Sequence, residues 1–585
     1  MQGVALEKYL SRTWACCGLI WLFTILVWGN TVRFGFVWDD SVLVVQNTSI
    51  RSLKNLPAIF TSVKAQSAEV VPSFRPVRTA FYALLQAIGG RAEPQAWIFH
   101  LSNVLWHGLA AMLLFSVVAL LCQRVAGATP PAARLTALLV ALGFAAHPVV
   151  SEAVCWVKCL DDLMAAVFVL AAMRSLLLYE PLSLPSPRLA GRGDHWKSMS
   201  ATAHYASALV FFLLAAFSKE SAVPLALIVF VVFARVLKLP WRRSAALTTA
   251  FLAVAGFYVV YRHLVLGQSA QCAPLSGSYG QTLVDMLPVA LEYWRLLWGI
   301  PPFCADYDFM VGAPPHPFLS GAVLGGVLLV LFFVALAAWL WRRPEWRMSA
   351  FGLIWLGLFL LPVSNLLPMM QYMAERFLYL PLMGFLLALG GAFLNGSRLR
   401  PRLAATAAAA LIAIWTGTSL GQMGAWRDDL TLYMRTEFQH PGIKRIEHNA
   451  VASVFALPQM TKWRTAKTLT PEQADQIITT LQRARQIYPE NDRLTTQLGL
   501  TDAKIGRWRE AVAWLELAAR QNPGFSERWF NLASVYERTG QPAKAREACA
   551  EALRLDPRFE MARRLQREIE KELKTANAPA APTPK

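Results

Sequence analysis

Eleven apolar runs, each close to the length of a bilayer crossing, constrain this chain more than any other feature. A membrane-spanning helix needs about 20 mainly apolar residues. Runs of that character lie at 14–33, 99–122, 134–149, 160–179, 204–218, 221–237, 244–266, 318–341, 348–366, 376–394 and 402–421. The first lacks a small-x-small cleavage site and reads as a retained helix rather than a secretion signal. Two weaker segments, 74–90 and 282–299, are short and carry internal charges: Arg75 and Arg78 in one, Asp285, Glu292 and Arg295 in the other. Only 16% of the residues are charged, against about 25% in soluble proteins, which argues against an ordinary cytosolic enzyme.

The net charge of +19 would by itself suggest a nucleic-acid partner. Its distribution points elsewhere, because the basic residues sit in short clusters between the apolar runs, as membrane topology requires. The clusters are Lys8/Arg12, Arg124/Arg134, Arg188/Arg192/Lys197, Arg235/Lys238/Arg242/Arg243, Arg342/Arg343/Arg347 and Arg398/Arg400/Arg402. All six fall on one side only if neither weak segment crosses the bilayer. The positive-inside rule then gives eleven spans, the N-terminus in the cytoplasm and two long outer loops, 34–98 and 267–317, each holding an interfacial helix. With Arg174, 18 bases and four acids face the cytoplasm, and 13 bases and 15 acids lie on or near the outer face. No nucleic acid is expected as a partner. The eight cysteines show no metal-ligand spacing, and Cys272 and Cys304 share the second outer loop, where an oxidising compartment would let them pair.

Beyond Asp429 the chain is charged throughout and repeats at a 34-residue offset. Pro489, Pro523 and Pro557 keep this spacing, as do Ala484, Ala518 and Ala552, the pair Gly506 and Gly540, and the pair Ala511 and Ala545. With Trp529, Leu532 and Tyr536 they fit the tetratricopeptide pattern of paired antiparallel helices. Two clear repeats, 492–525 and 526–559, follow a degenerate one near 443–491, stretched by an insertion near 457–470. The fold class is therefore all-α: a polytopic membrane helix bundle of about 11 spans over 1–425, then a soluble tetratricopeptide solenoid over 426–575. An Ala/Pro-rich tail, 576–585, is expected to be disordered. Such an array presents a concave surface for peptides or partner proteins.

Several ionisable groups recur at the outer ends of the spans. Asp39 and Asp40 follow the first exit, in Phe36-Val37-Trp38-Asp39-Asp40. Arg75 lies in Ser73-Phe74-Arg75-Pro76. His100, Asn103 and His107 share one helix face. His147 precedes Pro148, with Glu152, Lys158 and the pair Asp161-Asp162 beyond it. Lys219 and Glu220 lie between two spans, Asp306-Tyr307-Asp308 closes the second outer loop, and Glu375-Arg376 opens Glu375-Arg376-Phe377-Leu378-Tyr379-Leu380-Pro381. Ionisable residues at membrane depth are costly and usually functional. For the histidine face, packing between membrane helices is the competing reading, and for Trp294, Trp298 and Trp426 interfacial anchoring is preferred.

In this order, the motifs and terminal repeats resemble the transmembrane and tetratricopeptide-repeat O-mannosyltransferases, of the GT-C class of polyprenyl-phosphate-sugar-dependent glycosyltransferases. The resemblance runs from Trp38-Asp39-Asp40 through the repeats. It implies inverting transfer of a sugar, with mannose as the family's sugar, from a polyprenyl-phosphate donor to an acceptor hydroxyl at the extracytoplasmic face. Asp39 would be the base, with Asp40 assisting. The leaving phosphate needs a cation, for which Arg376 is the first choice, Arg75 the second, and Lys219 and Lys158 weaker ones. Glu375 could pair with Arg376 and orient it. His100, His107, His147, Glu152, Lys158, Lys219, Glu220 and Glu375 complete the substrate-binding set. No cofactor is required, although Asp39/Asp40 with His100 or His147 could hold a divalent metal. The acceptor would be a protein Ser/Thr delivered by the repeats; lipid A or a cell-surface glycan is the alternative, and a membrane-anchored scaffold without activity the third reading. An Arg/Ala-rich composition points to a bacterial inner membrane.

Overall fold

A computed structural model of the chain describes residues 13–68, 73–179, 192–267, 272–307, 315–439, 454 and 469–576, with side chains at 192–200, 437–439 and 575–576 left undescribed. The tail beyond 576, the insertion up to 468, Asp308, and Lys8, Arg12, Glu180 and Arg188, which the sequence assigns to the cytoplasmic side, lie outside them. All regular structure among the described residues is helical. The chain forms two compact units, Met1–Leu432 and Tyr433–Lys585.

In the first unit, eight helices among the described residues are long and apolar enough to cross a membrane: Thr13–Arg33, Ala96–Ala126, Ala201–Ser218, Trp241–Leu266, Gly321–Trp341, Pro344–Val363, Glu375–Leu399 and Pro401–Trp426. Pro130–Ala146 with Pro148–Cys155 makes a ninth if this pair, bent by 51°, is one span. Two of the eleven expected spans do not meet the test, for different reasons. Leu160–Leu178 carries Asp161, Asp162 and Arg174. The run 221–237 is divided into a seven-residue helix, Leu225–Val231, and a π turn, Val232–Val236. The weak segments are Pro76–Gly89, 14 residues or about 21 Å of helix, and Tyr279–Leu297, which holds Pro288 inside it. Neither is among the eight. Exposed Leu324, Leu328, Leu331 and Phe332 on Gly321–Trp341 give that helix an apolar surface suited to lipid rather than water.

Small residues set the closest packing. A Cβ on Gly352 would lie 2.5 Å from both Ala388 N and Gly384 O, and one on Gly384 2.5 Å from Leu356 N. Arg347–Leu360 and Tyr379–Leu399 therefore meet backbone to backbone, the geometry small residues permit between membrane helices. At the bend, Pro148 has no N–H and holds His147 extended. The carbonyls freed there are taken by side chains: Trp28 Nε1 donates to Ala145 O (2.8 Å) and Ser419 Oγ to Ala146 O (2.7 Å). Because the bend is satisfied in this way, Ser151–Cys155 and Val157–Cys159 can turn into the site described below.

The second unit follows the 34-residue period. Asp492–Lys504 pairs with Trp508–Gln521, and Ser526–Arg538 with Pro542–Leu555; Pro471–Ile487 precedes them and Glu560–Ala576 follows. Thr470 and Gln473 form a capping box ahead of Pro471. Gly506 (φ 81°) and Gly540 (φ 70°) make the left-handed turns that end the first helix of each pair. Ala511, Ala518, Ala545 and Ala552 are fully buried, where larger residues would push the helices apart.

Candidate functional site

The first exit from the membrane supplies two adjacent carboxylates in opposite settings. Asp40 is fully buried and accepts from Val37 N–H (3.1 Å) and Lys158 N–H (2.9 Å). Burial pushes its carboxyl up to about 8; the carboxylates of Asp39 and Asp429 add to this, and the two backbone donors oppose it. The Asp39 side chain is 38% exposed, and its Oδ2 accepts from Lys158 Nζ at 2.6 Å. Asp39 is thus the member of the pair that faces outward, while Asp40 secures the loop.

Trp156 lies at the centre. Its ring is stacked with both Trp38 (5.0 Å between centroids) and Trp426 (5.8 Å), and its Nε1 donates to Val37 O (3.2 Å). Lys158 Nζ sits 4.4 Å and the Arg376 guanidinium 5.3 Å from its ring centroid. One aromatic surface therefore joins the cation paired with Asp39 to the arginine of the Glu375-Arg376 motif.

Arg376 pairs with Glu152 rather than with Glu375. Glu152 accepts from the Arg376 backbone N–H (2.7 Å) and from its guanidinium, and Gln371 Oε1 accepts a further guanidinium N–H. Both members of the pair are buried. Glu375 points the other way and accepts from Cys304 N–H (2.7 Å) and Tyr307 O–H (3.1 Å). On a short 3-10 turn, neighbouring residues diverge by about a third of a turn, so adjacency in sequence did not make them partners.

A second ionic cluster lies where Pro76–Gly89, Leu160–Leu178 and the Lys219-Glu220 break meet. Arg75 donates to Asp161 and to Glu220 (3.0 Å), Arg78 to Asp161 (3.3 Å), and Lys219 to Asp162, with Asp161 3.6 Å away. Gln66 Oε1 accepts from Arg75 N–H (3.2 Å) and fixes the turn into the helix. Burial alone would raise the Glu220 carboxyl, but the cations of Arg75, Arg262 and Lys219, with the Arg75 hydrogen bond, together outweigh it and hold the group down at about 2.

The histidines stand outside both clusters. His100 bonds Gly35 O (3.0 Å), His107 bonds Tyr379 Oη (2.7 Å), and His147 bonds Leu297 O (3.0 Å). All three are fully buried. Among the described residues, no three His, Cys, Asp or Glu side chains are grouped to hold a metal. Cys272 and Cys304 carry free thiols; Cys304 Sγ donates to Asp306 O (2.9 Å). Trp426 is buried against Trp156 instead of anchoring at the interface. Sequence reasoning also missed Trp156 and Asp429, whose partners lie over a hundred positions away. The signal at Trp156 was its place between Glu152 and Lys158.

Helices of membrane length, an ionic site built on the segments between them and a terminal solenoid define a multi-pass membrane protein with a tetratricopeptide unit. The tetratricopeptide repeat family model matches residues 526–559. Over 90% of its length the chain is 22% identical to Protein O-mannosyl-transferase TMTC3 of Mus musculus, spanning 62% of that relative. It is 30% identical to Protein O-mannosyl-transferase Tmtc2 of Drosophila melanogaster over 33% of this chain and 19% of that one. With Protein O-mannosyl-transferase TMTC4 of Mus musculus the identity is 29%, over 25% of this chain and 21% of the relative. The chain is thus similar to the TMTC protein O-mannosyl-transferases and carries a tetratricopeptide repeat; it spans less than two thirds of the length of these relatives. Among solved structures, a chain of "Crystal structure of APC/C hetero-tetramer Cut9-Hcn1" aligns over 84% of this chain and 93% of its own at 13% identity, with a TM-score of 0.20, too low to argue a common fold.

Proposed function

We propose that the protein is a membrane glycosyltransferase that moves a sugar, mannose by analogy with its relatives, from a polyprenyl-phosphate donor to an acceptor hydroxyl at the extracytoplasmic face. The observation that carries this reading is the aromatic surface of Trp156, which holds Lys158 beside Asp39 and Arg376 nearby, a base and a phosphate-binding cation in one site. Asp39 takes the proton of the acceptor hydroxyl. The acceptor oxygen attacks the anomeric carbon from the face opposite the phosphate. The bond from that carbon to the phosphate oxygen breaks, and the configuration inverts. The lipid phosphate leaves as an anion, stabilised by Arg376, whose planar fork suits a phosphate. Arg75, Lys219 and Glu220 form the ionic wall of the donor site. His100, His107 and His147 hold the surrounding backbone.

A divalent metal is not needed in this scheme: Asp40 is filled by two backbone donors and Asp39 is engaged by Lys158. Incubation with EDTA leaves transfer unchanged; its loss, restored by a divalent ion, would overturn that point. The distribution of basic clusters supports an inner-membrane orientation with the N-terminus in the cytoplasm and the repeat unit outside, where the repeats would present a protein acceptor. Reporter fusions after Arg342 and after Trp426 test this, a cytoplasmic signal from the second being the refuting one. The activity is tested by mass spectrometry of envelope glycoproteins and glycolipids in a deletion strain complemented with the wild type or Asp39→Ala. Only the wild type restores the product. Equal restoration by both removes Asp39 as base, and a product on lipid A or a surface glycan replaces the protein acceptor. A glycan profile that the deletion itself leaves unchanged, before any complementation, favours the scaffold reading.

A further inference from the structure

Beyond the last membrane helix, the chain folds back onto the loop that carries Asp39. Trp426 stacks on Trp156 with 26° between ring planes. Arg427 O accepts from Gly35 N–H (3.0 Å). Asp429 Oδ1 accepts from Trp38 N–H (2.7 Å), a bond between residues 391 positions apart. The preceding Asp428 does different work: its Oδ1 accepts from Thr431 N–H and Thr431 Oγ1–H, both at 2.8 Å, and caps the helix Asp429–Gln439. Capping needs one aspartate here, so the second carboxylate reaches back to the catalytic loop.

What it grips there is unusual. Trp38 has φ 54°, in the left-handed region where the Cβ of a bulky residue crowds the backbone. Such a residue keeps that conformation only where its surroundings fix it. Three contacts do so: the ring stacks on Trp156 (5.0 Å, 15°), the carbonyl accepts from Ser41 Oγ (3.0 Å), and the N–H is held by Asp429. The left-handed turn at Trp38 is the step after which Asp39 emerges toward Lys158 and Asp40 turns inward.

We infer that Asp429 is a positioning residue for Asp39: by holding the Trp38 N–H it maintains the left-handed turn that sets Asp39 beside Lys158. This rests on the reading of Asp39 as base, but the geometry can be tested apart from it. The segment that leads into the repeat unit, which begins at Tyr433, thereby forms part of the support of the catalytic loop.

The test uses the full chain in detergent carrying Asp39→Cys, with maleimide labelling of the introduced thiol followed against pH by peptide mass spectrometry. Beside Lys158 the thiol titrates low. Adding Asp429→Ala moves its labelling profile up by about one pH unit, a tenfold loss of thiolate near neutrality. Adding Asp429→Asn, which keeps an acceptor oxygen but loses the charge, leaves it in place or moves it slightly down. Loss of the Asp429 charge alone would move the profile down, so an upward shift reports displacement from Lys158. Buried Cys155 and Cys159 stay unlabelled if the fold is intact; if they label, Asp429→Ser replaces the Ala variant. An unchanged profile with Asp429→Ala, or an equal shift with Asn, overturns the inference. In the complemented deletion strain with Asp39 intact, Asp429→Ala lowers the glycan product about tenfold and Asp429→Asn retains most of it. If Asp39→Ala also restores the product, the base assignment fails while the thiol result still decides the clamp.

Discussion

Glu152→Ala separates what holds Arg376 in place from what Arg376 does. Glu152 is fully buried, Arg376 is 6% exposed, and the carboxylate serves both the guanidinium and the backbone N–H of Arg376. Removing one member of a buried pair leaves an uncompensated charge, which costs about 3–5 kcal/mol. Roughly 1.4 kcal/mol is a factor of ten in an equilibrium constant, so the ratio of folded to unfolded protein falls by two orders of magnitude or more. Replacing both partners with apolar residues of similar size removes that penalty, and such exchanges are often neutral or stabilising. The expected result is a lowered thermal midpoint in detergent for Glu152→Ala and Arg376→Met, with partial recovery in Glu152→Leu/Arg376→Met, where the backbone N–H of residue 376 still lacks its acceptor. Product in the complementation assay does not recover with it, because the double variant has no cation for the leaving phosphate. A double variant that is stable and active refutes the role of Arg376. Single variants as stable as the wild type refute the buried pair.

Two further perturbations address the frame around the site. Asp40 has its pKa raised from 3.8 to about 8; a raised pKa contributes stability that is full below the unfolded value and is lost as pH rises through the folded one. The thermal midpoint should therefore rise as the buffer is taken from pH 8 toward pH 5, and Asp40→Asn should flatten that dependence; an equal slope in both proteins sinks the assignment. At the helix contact, Gly352→Ala puts a methyl 2.5 Å from backbone atoms, an overpacking that costs about 1–3 kcal/mol. Gly357→Ala on the same helix meets nothing within 4 Å and should be neutral or gain up to about 1 kcal/mol from helix propensity. Thermal midpoints that do not separate the two variants remove the close-packing account.

Local chemistry made some of this site legible in the sequence. Asp39, Arg75, Lys158, Lys219 and Arg376 stood out because charge at the end of an apolar run is conspicuous, and the 34-residue period could be read directly because each repeat has its own proline and alanine positions. Partner choice was not local. Glu375 is the neighbour of Arg376 in the chain, yet the buried partner is Glu152, 224 positions away. Two adjacent aspartates look equivalent on paper, but a left-handed turn at Trp38 gives one to solvent and the other to the interior. Trp426 resembles any interfacial tryptophan until the chain returns and stacks it on Trp156.

The same distinction explains why a helix of membrane-spanning length can be set apart from the other candidate spans by its own charges. Leu160–Leu178 does not satisfy a composition test because of Asp161, Asp162 and Arg174. That test assigns each charge the cost of an isolated one. In the fold, Asp161 meets Arg75 and Arg78, and Asp162 meets Lys219, all from other segments. Ionisable groups within membrane proteins face the interior and pair with one another, so the cost belongs to the cluster and not to the helix. Arg174 has a different solution: its Nε donates to Ser116 Oγ (3.0 Å) from a more exposed position, where a long side chain can carry its charge toward water. The residues that weaken this helix as an isolated span are thus those that bind it to its neighbours. If the pairs carry it, Asp161→Ala should destabilise the folded protein, although it makes the helix more apolar; a higher thermal midpoint for Asp161→Ala would show that the charges are tolerated by the span and do not support it.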